Sequence, residues 1–339
     1  MVWFRFRTGI LKVQHVPSGD DAVSFELQHA GGPVTIELRR NPDHEGPRIL
    51  LTATASRVVS AERQTSLESL AAREIPPGCT PNEGSDPFNE RGAPHLSIVS
   101  DSLKNLFAEM GSQMAPLCRS VALSLRWRYG LRVPVRPLAS LGYEFSIDGE
   151  LWISIPREVS ARTGSYAIGQ ALGTQLVIGI PEALEPDLAI PAAHEFLFEA
   201  EELADTYTRS TLVLSLAGVE VGLKSLIAGV LPGTRWLVEN MPSPSVASLL
   251  EGFLPDLPLL GQLPGTERPD PKADLIKNVR RAMQLRNRVV HSGAGEIDYE
   301  WLDEWLSLSS SLLYAFDCYS GRAWAGPLVE ERHRLLIAT

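Results

Sequence analysis

Cysteine is scarce. The chain has three in 339 residues, Cys79, Cys118 and Cys318, scattered and never paired as CxxC. An odd, dispersed set argues against a disulfide framework or a thiolate zinc site and fits a reducing cytosol. Long apolar runs free of charge are missing too. The most apolar stretch is Thr211 to Val230, and Glu220 and Lys224 interrupt its middle. Each charge costs about 2.5–3.5 kcal/mol at a bilayer centre, so a buried bundle helix is expected, with no membrane contact and a cytoplasmic location. Arg5 and Arg7 break the apolar residues of MVWFRFRTGILKV, so no signal peptide is expected. No excess of positive charge exists either: the net charge is −10, which does not suggest a general nucleic-acid binder. There is no GxxxxGK loop, no GxGxxG after a strand and no GxSxG elbow. His194-Glu195 begins an HExxH pattern, but Phe198 holds the position of the second His. No metal and no cofactor are therefore expected. His15, His29, His44, His95 and His333 stand alone and read as surface or satisfied histidines.

What is present divides in two. A hydrophobic fraction of 44% can bury a real core, and the length favours two domains over one. The patterning changes near Ala192, from period two to period 3.6. The fold class expected is α+β: a mixed β/α domain over 1–190, an all-helical bundle of four or five helices over 191–321, and a tail over 322–339. VSFELQHAGGPVTIELRR holds two alternating runs around Ala30-Gly31-Gly32-Pro33, which predicts strands near Val23–Leu27 and Val34–Leu38. Arg48 to Ala55 is another strand candidate, and Ala61 to Ala72 reads as helix. Pro76 to Pro94 is rich in Pro, Gly, Asn and acidic residues, so a mobile loop is expected across 76–97. Ser102 to Tyr129 reads as helix, with a break allowed at Pro116. YEFSI and ELWISI flank Asp148-Gly149, the signature of a type I′ hairpin. Gln175 to Ile180 is a further strand candidate. Arg119, Arg126, Arg128 and Arg132 lie near Trp127 and Tyr129, a mixture able to stack on nucleic acid. A helix with one apolar and one charged face accounts for it better.

The helical half begins with Ala192 to Tyr207 and Thr208 to Leu231. Trp236 to Leu254 follows, broken by Pro242 and Pro244, and Leu257 to Pro271 reads as loop. Asp298 is placed to cap Tyr299 to Tyr319. Between these lies DLIKNVRRAMQLRNRVVHSG, Asp274 to Gly293. Leu275, Val279, Ala282, Met283, Val289 and Val290 predict one buried stripe, Asp274 an N-cap and Gly293 a left-handed stop. From Lys272 to His291, Lys272, Lys277, Arg280, Arg281, Arg286 and Arg288 stand against Asp274 alone, a local basic stripe suited to phosphate. Lys277, Arg280 and Arg281 are candidate RNA contacts, and a solvated helix face explains them equally well. Asn287 and His291 are four apart and share a face. Arg286 falls on the apolar stripe, where a guanidinium needs a carboxylate, a phosphate or a partner surface. Glu220 is the expected carboxylate, although a bridge to Lys224 four residues on is also open to it.

The segment Arg286-Asn287-Arg288-Val289-Val290-His291, followed by Ser292-Gly293, resembles the signature of the HEPN superfamily, in its Apea-like branch. That signature is Arg, four to six residues, then His, often with a polar residue after the Arg. The resemblance covers roughly Ala192 to Gly321. It implies an HEPN-like bundle and a metal-independent endoribonuclease acting on single-stranded or loop RNA, in a toxin or antiviral defence setting. It also implies a homodimer in which two motifs form one composite site. Arg286, Asn287 and His291 would be catalytic, with Glu220 and Arg288 supporting. RNA carries its own nucleophile, the 2′-hydroxyl. An imidazole can move the protons, since its charge changes near neutral pH. Arg286 can neutralise charge growing on the phosphate. The alternative is an inert dimerisation or binding module in which the three residues form a buried polar cluster. In either case the N-terminal half is expected to serve as a sensor or to dock a protein partner or antitoxin.

Overall fold

Period-two patterning at the N-terminus builds an antiparallel sheet. The computed structural model describes residues 1–10, 23–29, 32–40, 49–81, 86–89, 92–130, 142–155, 190–240, 244–293 and 296–339. The strand candidates at Gln175 to Ile180 and the side chain of Arg132 lie outside them. Among the described residues there are six strands: β1 (Val2–Ile10), β2 (Val23–His29), β3 (Gly32–Arg40), β4 (Ile49–Arg57), β5 (Gly142–Ser146) and β6 (Ile153–Ser154). Their order is β2-β3-β4-β1-β5-β6. The registers align Leu27, Val34, Ala55, Phe4, Phe145 and Ile153 in one cross-strand row. Five of these six are buried, so one face of the sheet is core. Arg5, Arg7 and Glu144 stand on the opposite face, and the Arg5 Nε donates to the Glu144 carboxylate at 2.7 Å.

Among the described residues of this half there are two helices, α1 (Ala61–Ala71) and α2 (Asp101–Tyr129). Phe107 of α2 packs on Phe4 and Phe145, with centroids 6.5 and 5.8 Å apart, and the Tyr143 hydroxyl donates to the Phe107 carbonyl at 3.0 Å. Pro116 does not break α2. Met110, Met114, Cys118, Val121 and Leu125 continue one buried stripe past it, so packing outweighs the lost backbone bond. Between α1 and α2, among the described residues, regular structure is limited to a Phe88–Pro94 bridge and a 3₁₀ turn at Leu96–Ile98. The arms of the Asp148-Gly149 hairpin are strands, but the turn is wider than a two-residue type I′ turn. Glu144 pairs with Ser154 and Phe145 with Ile153, a register that sets Ile147 across from Leu151 rather than Glu150. The Asp148 carboxylate accepts from the Glu150 and Leu151 amides at 2.8 and 2.9 Å, which holds the longer loop.

Contacts divide the chain into two compact units, Met1–Arg126 with Leu131–Leu188, and Trp127–Gly130 with Ala189–Thr339. The second unit is helical. It holds α3 (Ala192–Leu203), α4 (Thr208–Val230), α5 (Arg235–Asn240), α6 (Val246–Gly252), α7 (Ala273–Ser292), α8 (Tyr299–Tyr319) and α9 (Glu331–Ile337). The chain is thus α+β, an antiparallel sheet unit followed by a mainly helical one. By length and composition α4 is apolar enough to cross a membrane. Its Leu212, Leu216, Val219, Leu223, Leu226 and Ile227 are buried among the other helices, which suits a central bundle helix.

Two glycines set how closely α4 is packed. A Cβ on Gly218 would come within 2.8 Å of the Ala193 carbonyl, and one on Gly222 within 2.5 Å of Leu313. Gly229, on the same helix, has open space. Gly218→Val should therefore lower the unfolding free energy by about 1–3 kcal/mol through overpacking. Gly229→Ala should raise it by up to about 1 kcal/mol through helix propensity. Paired thermal melts check both signs.

Residues 322–339 do not form a loose tail. Ala323–Leu328 is a 3₁₀ segment and α9 follows, with Ala325, Val329, Ile337 and Ala338 buried. The Asp270 amide donates to the Ile337 carbonyl at 3.0 Å and the Lys272 amide to Leu336 at 2.9 Å, so the loop before α7 is pinned by the last residues. A helix of seven residues is too short to show a 3.6 period, which is why the sequence hides it.

Candidate functional site

The motif sits on α7. The helix starts at Ala273 with Lys272 as N-cap, so Asp274 lies in its first turn rather than capping it. The Lys272 ammonium pairs with Asp270. At the other end Gly293 has φ +63°, and its amide donates to the Val289 carbonyl at 3.1 Å. Gly293 therefore stops the helix in the left-handed conformation that its sequence position suggests. The buried stripe is Leu275, Ile276, Val279, Ala282 and Leu285, with Met283 and Val289 half-buried. Val290, expected within the stripe, is 54% exposed. The stripe is rotated toward Ile276 and Leu285 because α4 and α6 cover that side.

This rotation decides how the motif is presented. Asn287, Arg288 and His291 are exposed, and Arg286 is half-buried at the edge of the stripe. Among the described residues, the side chains of Arg286, Asn287 and His291 form no hydrogen bond or ion pair, and the Ser292 hydroxyl donates to the Arg288 carbonyl at 2.6 Å. The three do not make a buried polar cluster. Glu220 does not meet Arg286. It accepts from the Lys224 ammonium at 2.7 Å, one turn along α4, where a flexible Lys reaches it without crossing between helices. Nor are all the basic candidates free for RNA. Arg280 pairs with Glu251 at 2.6 Å, and Arg281 lies over the Trp301 ring at 4.7 Å. Lys277 is exposed. In the earlier basic-aromatic stretch, Arg126 and Trp127 are buried and Arg119 is exposed.

The most developed polar constellation is one that sequence reasoning missed. Asp317, on α8, is 5% exposed and accepts three hydrogen bonds. His194 Nε2 and Trp127 Nε1 each donate to its Oδ2 at 2.8 Å, and Arg322 Nη1 donates to Oδ1 at 2.7 Å. His194 is ringed by Tyr314, Phe198 and Trp127, with centroids 5.0, 5.9 and 6.1 Å away. Its Nδ1 is buried and has no hydrogen-bond partner among the described residues, and the Asp317 carboxylate, which can only accept, calls for a proton on Nε2. Burial alone pushes the Asp317 carboxyl up, but His194, Trp127 and Arg322 together outweigh it and hold it below the ordinary carboxylate range. An Asp–His pair of this kind can orient a nucleophile, yet among the described residues no hydroxyl or thiol is hydrogen-bonded to His194. The cluster joins α3, α8 and the end of α2. One signal was available. Asp317 interrupts the run LLYAFDCY on a core-facing helix, and a carboxylate there must be paired.

Among the described residues, no group of three or more His, Cys, Asp or Glu is placed to hold a metal ion. No family model, curated protein or solved structure matches this chain.

Proposed function

We propose that the helical unit is a metal-independent endoribonuclease of the HEPN type, acting on single-stranded or loop RNA. The observation that carries this reading is the solvent-open placement of Asn287 and His291, with the half-buried Arg286 beside them, on the last turns of α7. A polar set that served packing alone would be buried and mutually paired, whereas Asn287 and His291 are exposed and the three side chains are not paired with one another. His291 takes the 2′-hydroxyl proton or returns one to the leaving 5′-oxygen. Arg286 neutralises charge on the phosphate in the transition state, and Asn287 orients the imidazole or the phosphate. Arg288 and Lys277 add positive potential along the same helix.

One imidazole cannot serve as base and acid at the same instant. A second copy of α7 across a twofold axis supplies the other, which makes a composite site. The half-buried Arg286 at the stripe edge and the exposed Val290 beside it suit such a surface. The family resemblance supports a toxin or antiviral defence setting. The sheet unit would then sense a signal or bind a protein partner or antitoxin.

Incubating purified protein with total RNA and EDTA tests the reading. Cleaved strands should carry 2′,3′-cyclic phosphate ends, because the attacking oxygen belongs to the RNA. Strands left intact under these conditions, or cut only on adding metal, would reject the mechanism. Solution mass at micromolar protein should correspond to a dimer, and a strict monomer with and without RNA would remove the composite site.

A further inference from the structure

A cavity of about 210 Å³ lies in the helical unit between α7, α8 and α9, away from the motif. Its lining includes Asn278, Trp301, Glu304, Trp305, Arg332 and His333. Asn278 precedes His291 by thirteen residues on α7, about 20 Å along an ideal helix, and on a different face. The cavity is smaller than the roughly 300–1,000 Å³ of pockets for drug-sized ligands, so it suits one ring system or a comparable group.

The lining groups differ in what they have left to offer. Trp301 and Trp305 stand nearly parallel, 11° apart, and wall the space with indole. Trp305 Nε1 is already committed to Ser215 Oγ at 2.9 Å. Arg332 is held by Glu330 at 2.8 Å and by Ser307 at 3.0 Å. His333 Nδ1 lies 2.9 Å from Ser311 Oγ. Burial, ahead of the opposing pull of Glu330, keeps the His333 pKa below its usual value, so the ring is neutral near pH 7. Asn278 and Glu304 form no hydrogen bond among the described residues, and they supply an amide and an acceptor-only carboxylate.

These properties exclude two ligand classes. An anion would meet Glu304, with the nearby Arg332 charge already countered by Glu330. An ammonium would compete with Arg281, whose guanidinium already lies over Trp301. A flat, neutral ring with an N–H donor beside an acceptor fits what remains. We propose that this cavity binds a nucleobase carrying an exocyclic amino group, namely adenine, cytosine or guanine. Glu304 accepts from the amino group, Asn278 pairs with the adjacent ring edge, and the indoles cover the apolar surface. Uracil is disfavoured because its N–H is flanked by two carbonyl oxygens that face the Glu304 carboxylate. The base can come from a free nucleoside or from an unpaired position in an RNA strand. The site does not depend on the cleavage reading.

Ligand-observed NMR titration of the full chain with adenosine, cytidine, guanosine and uridine tests the proposal. The three amino-bearing nucleosides should bind, and uridine should bind about tenfold more weakly or less. Glu304→Gln, at an exposed position, should weaken amino-nucleoside binding by about tenfold without changing the melting temperature, and Asn278→Ala should also weaken it. His291→Ala should bind as the parent does, which separates this site from the motif. A trinucleotide of the preferred base, titrated into the Arg286→Ala protein with and without Glu304→Gln, assigns the source: tighter binding than the nucleoside that Glu304→Gln weakens points to RNA, and equal binding to a free nucleoside. No binding of any nucleoside at millimolar concentration, equal binding of uridine, or unchanged binding in both variants would overturn the proposal.

Discussion

His291→Ala should abolish RNA cleavage and leave the melting temperature where it was. The residue is exposed, ends a helix beside Ser292-Gly293 and makes no hydrogen bond among the described residues, so removing its ring costs little packing. Positioned general acid–base help is worth about 10²–10⁴ in rate, and losing it takes that factor away. Arg286→Ala should reduce cleavage by about 10²–10³, the scale seen when one preorganised donor to a developing anion is removed. It should not destabilise the fold by stranding a carboxylate, because Glu220 has Lys224 as its partner. Both variants should keep the solution mass of the parent protein. Rates are read by single-turnover cleavage of a short RNA in EDTA, and folding by thermal melts of the same preparations. Full activity in the His291→Ala protein would sink the mechanism. A large fall in melting temperature for His291→Ala would show that its role is structural.

The largest loss of stability should come from Asp317. Asp317→Ala strands the buried N–H groups of His194 and Trp127 and leaves the Arg322 guanidinium without its carboxylate. Removing one partner of a buried, hydrogen-bonded charge cluster typically costs about 3–5 kcal/mol. Asp317→Asn should cost less, since it keeps the shape and one acceptor oxygen. The pH dependence has a definite sign. The folded-state pKa of Asp317 is depressed, so the folded protein holds its proton less tightly than the unfolded chain does. The cluster's contribution is therefore complete above the ordinary Asp value of about 3.9 and is lost as pH falls below it toward the folded pKa. Melting temperature measured from pH 7 to pH 2.5 should fall more steeply at the acid end for the parent than for Asp317→Ala. Equal slopes, or a variant within about 0.5 kcal/mol of the parent at pH 7, would show the cluster to be neutral for stability.

Strands were legible where one face is buried and the other is not, because a side-chain period of two then has a single register that works. Val34, Ile36 and Leu38 of β3 alternate with Thr35, Glu37 and Arg39 in sequence and in space. Capping was half legible. Asp298 accepts from the Trp301 amide at 3.0 Å as its position suggests, but the carboxylate of Asp274 lies one residue inside its helix. Which side of α7 packs was not legible within one turn. Leu285 and Val290 are both apolar, and only the neighbours on α4 and α6 decide that the first is buried and the second open. Pairing across helices was the least legible of all. Glu220 lies four residues before Lys224, and proximity along one helix prevailed over a longer reach to Arg286. The Asp317 cluster depends on residues up to 190 positions apart, which no local pattern encodes.

Trp127 has a practical consequence for anyone dividing the protein. The change of patterning near Ala192 invites a cut there, yet the indole that donates to Asp317 and packs edge-on against Trp324 lies 65 positions upstream, at the end of α2. A fragment beginning at Ala192 would carry Asp317 one donor short and Trp324 without its neighbouring ring. The helical unit is compact, but it is not severable at the boundary its own sequence advertises. A minimal autonomous piece must carry the tip of α2 with it, or receive that tip in trans as a separate peptide.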